Sequence, residues 1–182
     1  LHLRTRRQRQ MCIRDSARLS KIVLNLWSPK SPGYTIFEKQ DEDSNIYTKN
    51  GLFTHLMVLL AGRISEEVFF GYSVTTGARQ DLEQAFALAK SMIVTYGMGK
   101  QNIYPDMSDH SKYLIDQEVS KLLLMANDHA RIMILKCKHL MQDCASNLKE
   151  DKLLKPDQII KLIDEKYPEI WGLYNVKSRY ID

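Results

Sequence analysis

The five histidines, His2, His55, His110, His129 and His139, include no pair four residues apart. No helix of this chain can therefore turn two imidazoles toward one metal ion, as a zinc-binding helix must. Serine, histidine and aspartate all occur, but no G-x-S-x-G turn is present to expose a nucleophile, and no glycine loop is present to cradle phosphate. Each histidine, taken alone, reads as a surface or half-buried helix residue. Cys12, Cys137 and Cys144 are odd in number and lack C-x-x-C spacing. They suggest neither a disulfide framework nor a cysteine zinc site, and they fit a reducing compartment.

Carboxylates are the remaining candidates, and they gather in one block. It runs Leu60-Ala61-Gly62-Arg63-Ile64-Ser65-Glu66-Glu67-Val68-Phe69-Phe70-Gly71, and Thr75-Thr76-Gly77-Ala78-Arg79-Gln80-Asp81-Leu82-Glu83 follows closely. If Leu82, Ala85, Ala89 and Met92 form a buried stripe, a step of about 100° per residue puts Asp81 at its border, where a carboxylate can face a cleft. The plainer reading is an acid of the first helical turn that stabilises the helix dipole, or a cap in register with Gln84, worth about 0.5–1 kcal/mol. On the residues alone, that plainer reading is the simpler one. Glu66 and Glu67 fall near a helix C-terminus, where an acid opposes the dipole and is a mildly surprising surface choice. Arg63 is placed to pair with one of them.

The elements that must position these groups are mainly helical. Ile22, Leu24 and Leu26 alternate as a half-buried strand does, and Tyr34 to Phe37 gives a second strand after the turn cluster from Pro29 to Gly33. The expectation is a small N-terminal β-hairpin. After the acidic stretch Asp41 to Asn45, Thr48 caps a helix running to about Phe70, with Leu52, Leu56, Leu59, Leu60 and Ile64 on its buried face and Gly71 ending it. A second helix is predicted from about Gly77 to Tyr96, with Thr76 as N-cap and Leu82, Ala85, Phe86, Ala89, Met92 and Ile93 inward. A long helix, kinked in its course, follows from Leu114 to about Leu148. A short helix, Pro156 to Lys166, opens with proline where the first turn tolerates it. The tail, residues 167–182, shows no pattern.

The whole block resembles the peptidase domain of the FtsH family of ATP-dependent zinc metalloproteases, which includes mitochondrial and chloroplast homologues. That family shows a G-G-R-x-x-E-E segment ending in phenylalanine and glycine, followed by a threonine-threonine-glycine-alanine stretch with aspartate and leucine shortly after. Further matches lie in the same order: Tyr47-Thr48-Lys49, Tyr96-Gly97-Met98, Ile115-Asp116-Gln117-Glu118-Val119, and a leucine-rich segment near Leu148 to Leu154. The resemblance covers about residues 20 to 165. It implies a mainly α fold, a helical metalloprotease domain fragment over residues 19–166. It also implies zinc as cofactor, held by two histidines of H-E-x-x-H and by the aspartate that corresponds to Asp81. Glu66 or Glu67 would then support the site by accepting a hydrogen bond from a ligating histidine. No catalytic residue and no further cofactor-binding residue is assigned to this chain. ATP would be used by a separate module, in a homo- or hetero-hexamer acting on polypeptide substrates. Membrane association, at a bacterial inner membrane, a mitochondrial inner membrane or a thylakoid, would come only through absent N-terminal segments, leaving this fragment soluble.

The departures matter as much. Ala61 stands where the family usually has the first glycine of its pair. Counting back at family spacing puts H-E-x-x-H near residues 2–6, where the chain reads His2-Leu3-Arg4-Thr5-Arg6. The expectation is that residues 1–18 are unstructured and non-native, an artefact of cloning or gene modelling, and that the isolated chain is inactive. An organelle transit peptide is the weaker account of this Arg-rich start. The alternatives to a protease fragment are an inactive structural homologue in a protease ring and a helical protein-interaction module.

Bulk properties exclude little else. The chain has 182 residues, 44% hydrophobic and 26% charged, as an ordinary globular domain with one core would. Its net charge of +4 is owed to Arg4, Arg6, Arg7, Arg9, Arg14 and Arg18. Beyond them there is no basic stripe with interleaved aromatics, so nucleic acid is not an expected partner. No apolar run reaches the eighteen or so residues that span a membrane.

Overall fold

The structure, a computed structural model, describes residues 18–24, 33–38, 47–101 and 108–174. The expectations for residues 1–17, Leu26, the acidic stretch at 41–45 and the loop around Pro105 lie outside the described residues. The chain divides into two compact units, Asn45–Leu135 and a second built from Leu1–Ser44 with Lys136–Asp182.

In the first unit, helix α1 spans Lys49–Phe70. The Thr48 hydroxyl accepts from the Gly51 N–H at 3.1 Å, satisfying one of the helix's orphan donors. Gly71 ends it at φ 62°, a left-handed value that glycine adopts without a Cβ penalty, and its N–H bonds the Glu67 carbonyl. Leu52, Phe53, Leu56, Leu59, Leu60 and Ile64 are buried, so the expected stripe is present with Phe53 added. Helix α2 spans Arg79–Val94 and packs on α1 through Ala85, Ala89, Met92 and Ile93. Its first predicted turn is instead a separate 3-10 turn, Thr76–Ala78, capped by Thr75 rather than Thr76.

Leu82 and Phe86, expected inward, are 39% and 61% exposed. Over its first turns the seat of α2 is a line of small side chains, Ala78, Ala85 and Ala89, which lets the backbones approach closely, and the buried Met92 and Ile93 continue it further along. At about 100° per residue, Phe86 lies some 80° to one side of that line and Asp81 some 60° to the other.

Helix α3 spans Asp109–Lys136 and buries Ile115, Val119, Ala126, Ala130 and Ile134. Its third turn is tied to the preceding loop, where Glu118 accepts from the Lys100 N–H at 3.0 Å. A Cβ at Gly99 would meet the Glu118 carboxylate at 2.2 Å, so any larger residue there would push that flexible side chain aside. Against α1, the His129 ring meets Phe53 in a T-shaped contact with centroids 5.6 Å apart.

The expected long helix breaks at Cys137 (φ −93°, ψ 7°), and α4 runs over Lys138–Asp151. In the second unit β1 (Arg18–Leu24) is the middle strand of an antiparallel sheet ordered β2, β1, β3. Strand β2 (Gly33–Glu38) supplies the expected hairpin, with a register irregularity between Leu19 and Lys21. Strand β3 is only Leu153–Leu154, paired with Val23 and Ile22, and the Leu24 N–H adds a bond to the Lys152 carbonyl at 2.9 Å. Two residues carry no periodicity, so this strand had no signature.

Helix α5 (Pro156–Lys166) has the predicted bounds, and the Gln158 side chain reaches back to the Lys155 N–H at 2.8 Å. A last short helix, α6 (Ile170–Tyr174), occupies part of the segment that showed no pattern. Leu140, Ile163 and Ile170 form the core here, flanked by Cys137, Cys144 and Trp171. Asp143 accepts from Lys166 Nζ at 3.0 Å and the Tyr167 hydroxyl at 3.1 Å. No described helix is long and apolar enough to cross a membrane.

Candidate functional site

The candidate carboxylates all belong to the first unit, around the junction of α1 and α2. Asp81 sits in the first turn of α2 and is exposed. Its Oδ2 lies 3.9 Å from where a Cβ on Gly62 would stand, so the carboxylate hangs beside a bare stretch of α1 backbone. Among the described residues it has no hydrogen-bond donor. Gly62 belongs to the G-R-x-x-E-E segment and Asp81 follows the T-T-G-A stretch, so the structure brings the two segments together.

Glu66 is bound by Thr75. Its Oε2 accepts from the Thr75 N–H at 2.9 Å and its Oε1 from the Thr75 hydroxyl at 2.6 Å. The same hydroxyl oxygen accepts from the Gly77 N–H at 3.1 Å, and the Thr75 carbonyl accepts from Arg63 Nη1 at 3.4 Å. The Thr75 hydroxyl, then its N–H, holds the Glu66 carboxyl below the usual carboxylate range. Glu67 is instead bound by two guanidinium groups, Arg131 Nη2 from α3 and Arg63 Nε at 3.2 Å from its own helix. Arg131 foremost lowers its pKa as well. The expected Arg63–glutamate pair is therefore present, with Glu67.

The arrangement is a bracket. Arg131 grips Glu67, Glu67 grips Arg63, and Arg63 and Glu66 together hold Thr75 at its carbonyl, N–H and hydroxyl. Thr75 in turn starts the turn that leads into α2. Sequence reasoning missed Thr75 and Arg131. The tandem threonine before glycine is a cap signature, and only its register was misjudged. Arg131 lies 64 residues from Glu67, and no local pattern announces such a partner.

The histidines stay apart. His55, His110 and His139 are exposed, and the half-buried His129 has its Nδ1 2.7 Å from the Met125 carbonyl. Among the described residues no three His, Cys, Asp or Glu side chains gather to hold a metal ion. Cys137 and Cys144 are free thiols, pushed up in pKa by burial, and so are poor nucleophiles at neutral pH.

The model of peptidase family M41 matches residues 10–162. The ATP-dependent zinc metalloprotease FtsH 3 of Sphaerobacter thermophilus is 35% identical over 129 residues, 68% of this chain and 26% of that protein. The corresponding FtsH of a Synechococcus species is 32% identical over 152 residues, 72% of this chain and 24% of the relative. That of Burkholderia pseudomallei is 31% identical over 158 residues, 75% and 23% respectively. The chain spans about a quarter of the length of these curated relatives. With a match over most of its length and the two segments meeting at Asp81 and Gly62, the chain belongs to peptidase family M41.

Proposed function

We propose that this chain is the C-terminal, mainly helical part of the peptidase domain of an ATP-dependent zinc metalloendopeptidase, and that Asp81 is its contribution to the zinc site. The observation that carries this reading is the Asp81 carboxylate, open on the first turn of α2 beside Gly62 in a chain of family M41. Zinc accepts a carboxylate oxygen at about 2.0–2.2 Å, so the donor chemistry fits one ligand. It fits no more than one, because H-E-x-x-H occurs nowhere in the 182 residues. In this reading the imidazoles and the general-base glutamate come from residues outside this chain. Bound zinc would supply Lewis acidity toward a peptide carbonyl and a more acidic bound water. This chain's own part is to keep one oxygen pointed at the site, with α1 as the wall behind it.

The relatives' names support ATP dependence and protease activity, and the family resemblance extends the proposal to ATP used by a separate module and to polypeptides, unfolded or membrane-derived, as substrates. A hexameric ring and membrane attachment through other segments complete it. The isolated chain is expected to be proteolytically inactive and to bind zinc weakly. Fusing it behind a related ATPase module and a histidine-bearing zinc helix should give casein hydrolysis that Asp81→Ala abolishes. Undiminished hydrolysis in that variant rejects the ligand assignment. The missing H-E-x-x-H favours one other reading, an inactive ring subunit, and the gene sequence upstream of Leu19 separates the two: an intact motif there supports the active enzyme.

A further inference from the structure

We infer that Glu66 is a positioning residue for Asp81, acting through Thr75 and the 3-10 turn rather than through a metal-bound imidazole. The inference rests on the proposal that Asp81 is the metal-binding group. Its basis is how α2 begins. Ala78, the residue before α2, gives no side-chain cap, so the helix does not fix its own start. The turn before it does that, with Thr75 extended at φ −106° and ψ 171° and its side chain accepting from Gly77. The Arg79 N–H then bonds back to the Thr76 carbonyl, which joins the turn to the helix without a free residue between them.

Thr75 is therefore the hinge point, and Glu66 takes two of its groups at once. A carboxylate bonding both an N–H and a hydroxyl of one residue fixes orientation as well as distance, and bonds to a charged acceptor are the stronger kind. Gly77 is kept bare by the same arrangement, since a Cβ there would stand 3.1 Å from the Thr75 hydroxyl oxygen and 4.0 Å from Glu66 Oε1. Asp81 follows four residues after Gly77, one helical turn on, and ends against Gly62, which is four residues before Glu66 on the same helix. One stretch of α1 thus carries both the anchor of the turn and the wall that its carboxylate meets.

The test is made on the whole 182-residue chain without metal, by nuclear magnetic resonance. The wild-type chain should show a nuclear Overhauser contact between the Gly62 α protons and the Asp81 β protons, together with slow exchange of the Thr75 and Gly77 amides. In Glu66→Ala the contact should vanish, and exchange at those two amides should rise about tenfold, as expected for loss of charge-assisted bonds. Thr75→Val should do the same and Thr75→Ser should restore both signals. A purely structural role predicts a lowered melting temperature with the contact intact, and that result overturns the inference. If Glu66→Ala does not fold, the Val and Ser variants at position 75 decide alone. Should the contact be lost in Glu66→Ala while Asp81→Ala leaves hydrolysis by the fusion unchanged, the zinc reading fails and the positioning stands. Contact retained alongside abolished hydrolysis in Asp81→Ala gives the reverse.

Discussion

The two units are stabilised by different kinds of sequence. Asn45–Leu135 is one continuous stretch, three helices whose apolar stripes meet and whose polar bracket is drawn from residues 63 to 131. The other unit joins a strand pair near one end of the chain to helices and a two-residue strand near the other. Among its described residues, Asp143 accepts from both Lys166 and Tyr167. The comparison teaches that the candidate site sits where neighbouring elements are also neighbours in sequence, so that one loop, 71–78, sets the position of Asp81.

The largest expected effect tests whether that first core is a unit by itself. Leu56 is fully buried, and Leu56→Ala should cost about 2–5 kcal/mol through lost burial and a residual cavity, read by denaturant unfolding. Hydrogen exchange should show the loss in α1 and α2 and spare β1; equal loss in both would break the comparison. Leu154→Ala, in a strand short enough to relax around the gap, should cost about 2–3 kcal/mol and loosen β1 instead.

A smaller effect is expected of the bracket's outer arm. Arg131 and Glu67 are 39% and 32% exposed, so solvent screens the pair, and Arg131→Met should cost about 0.5–1 kcal/mol, with half or more of it disappearing in 1 M salt. A loss that salt leaves unchanged would mean that packing of the Arg131 stem, not its charge, holds α3 to α1.

The smallest effect separates the units by pH. Glu66, Glu67 and Asp143 all have folded pKa values lowered from 4.5, 4.5 and 3.8, so their contributions are present above those values and are lost as pH falls through the lowered ones. Both units should weaken in acid. Lys166 is raised above 10.5 by Asp143, so its contribution is complete below that value and disappears as pH rises through the raised one. Only the sheet-containing unit should loosen further in alkali, a difference that residue-resolved exchange can follow. Symmetrical alkaline loss would remove Asp143 as the distinguishing contact.

Much of this was legible in the residues. Thr48, the stripe from Leu52 to Ile64 and Gly71 gave α1 its bounds, because cap, period and stop signal agree there. Pro156 and Lys166 bounded α5 equally well. Asp81 was placed at the edge of the α2 stripe by angle alone, and it does lie at the edge. Leu82 and Phe86 misled because periodicity records which residues share a face, not how wide a face the neighbour covers. Here alanines make the seat at the start of α2, where Leu82 and Phe86 stand off it, and the large residues that are buried, Met92 and Ile93, come later in the helix. Strand β3 and the Arg131–Glu67 pair depend on residues far apart in sequence, so only the folded chain could show them. Helix α6 is five residues long, too short for a period to register.

The placing of Leu153–Leu154 against the middle strand has a consequence for biosynthesis. Once strand β1 has left the ribosome, one of its edges must wait for about 130 further residues before its partner exists. Until then that edge is an open template for pairing with another nascent chain. Slow translation or crowded polysomes should therefore favour aggregation through this segment, while the helical unit, whose contacts close over shorter stretches, completes itself first.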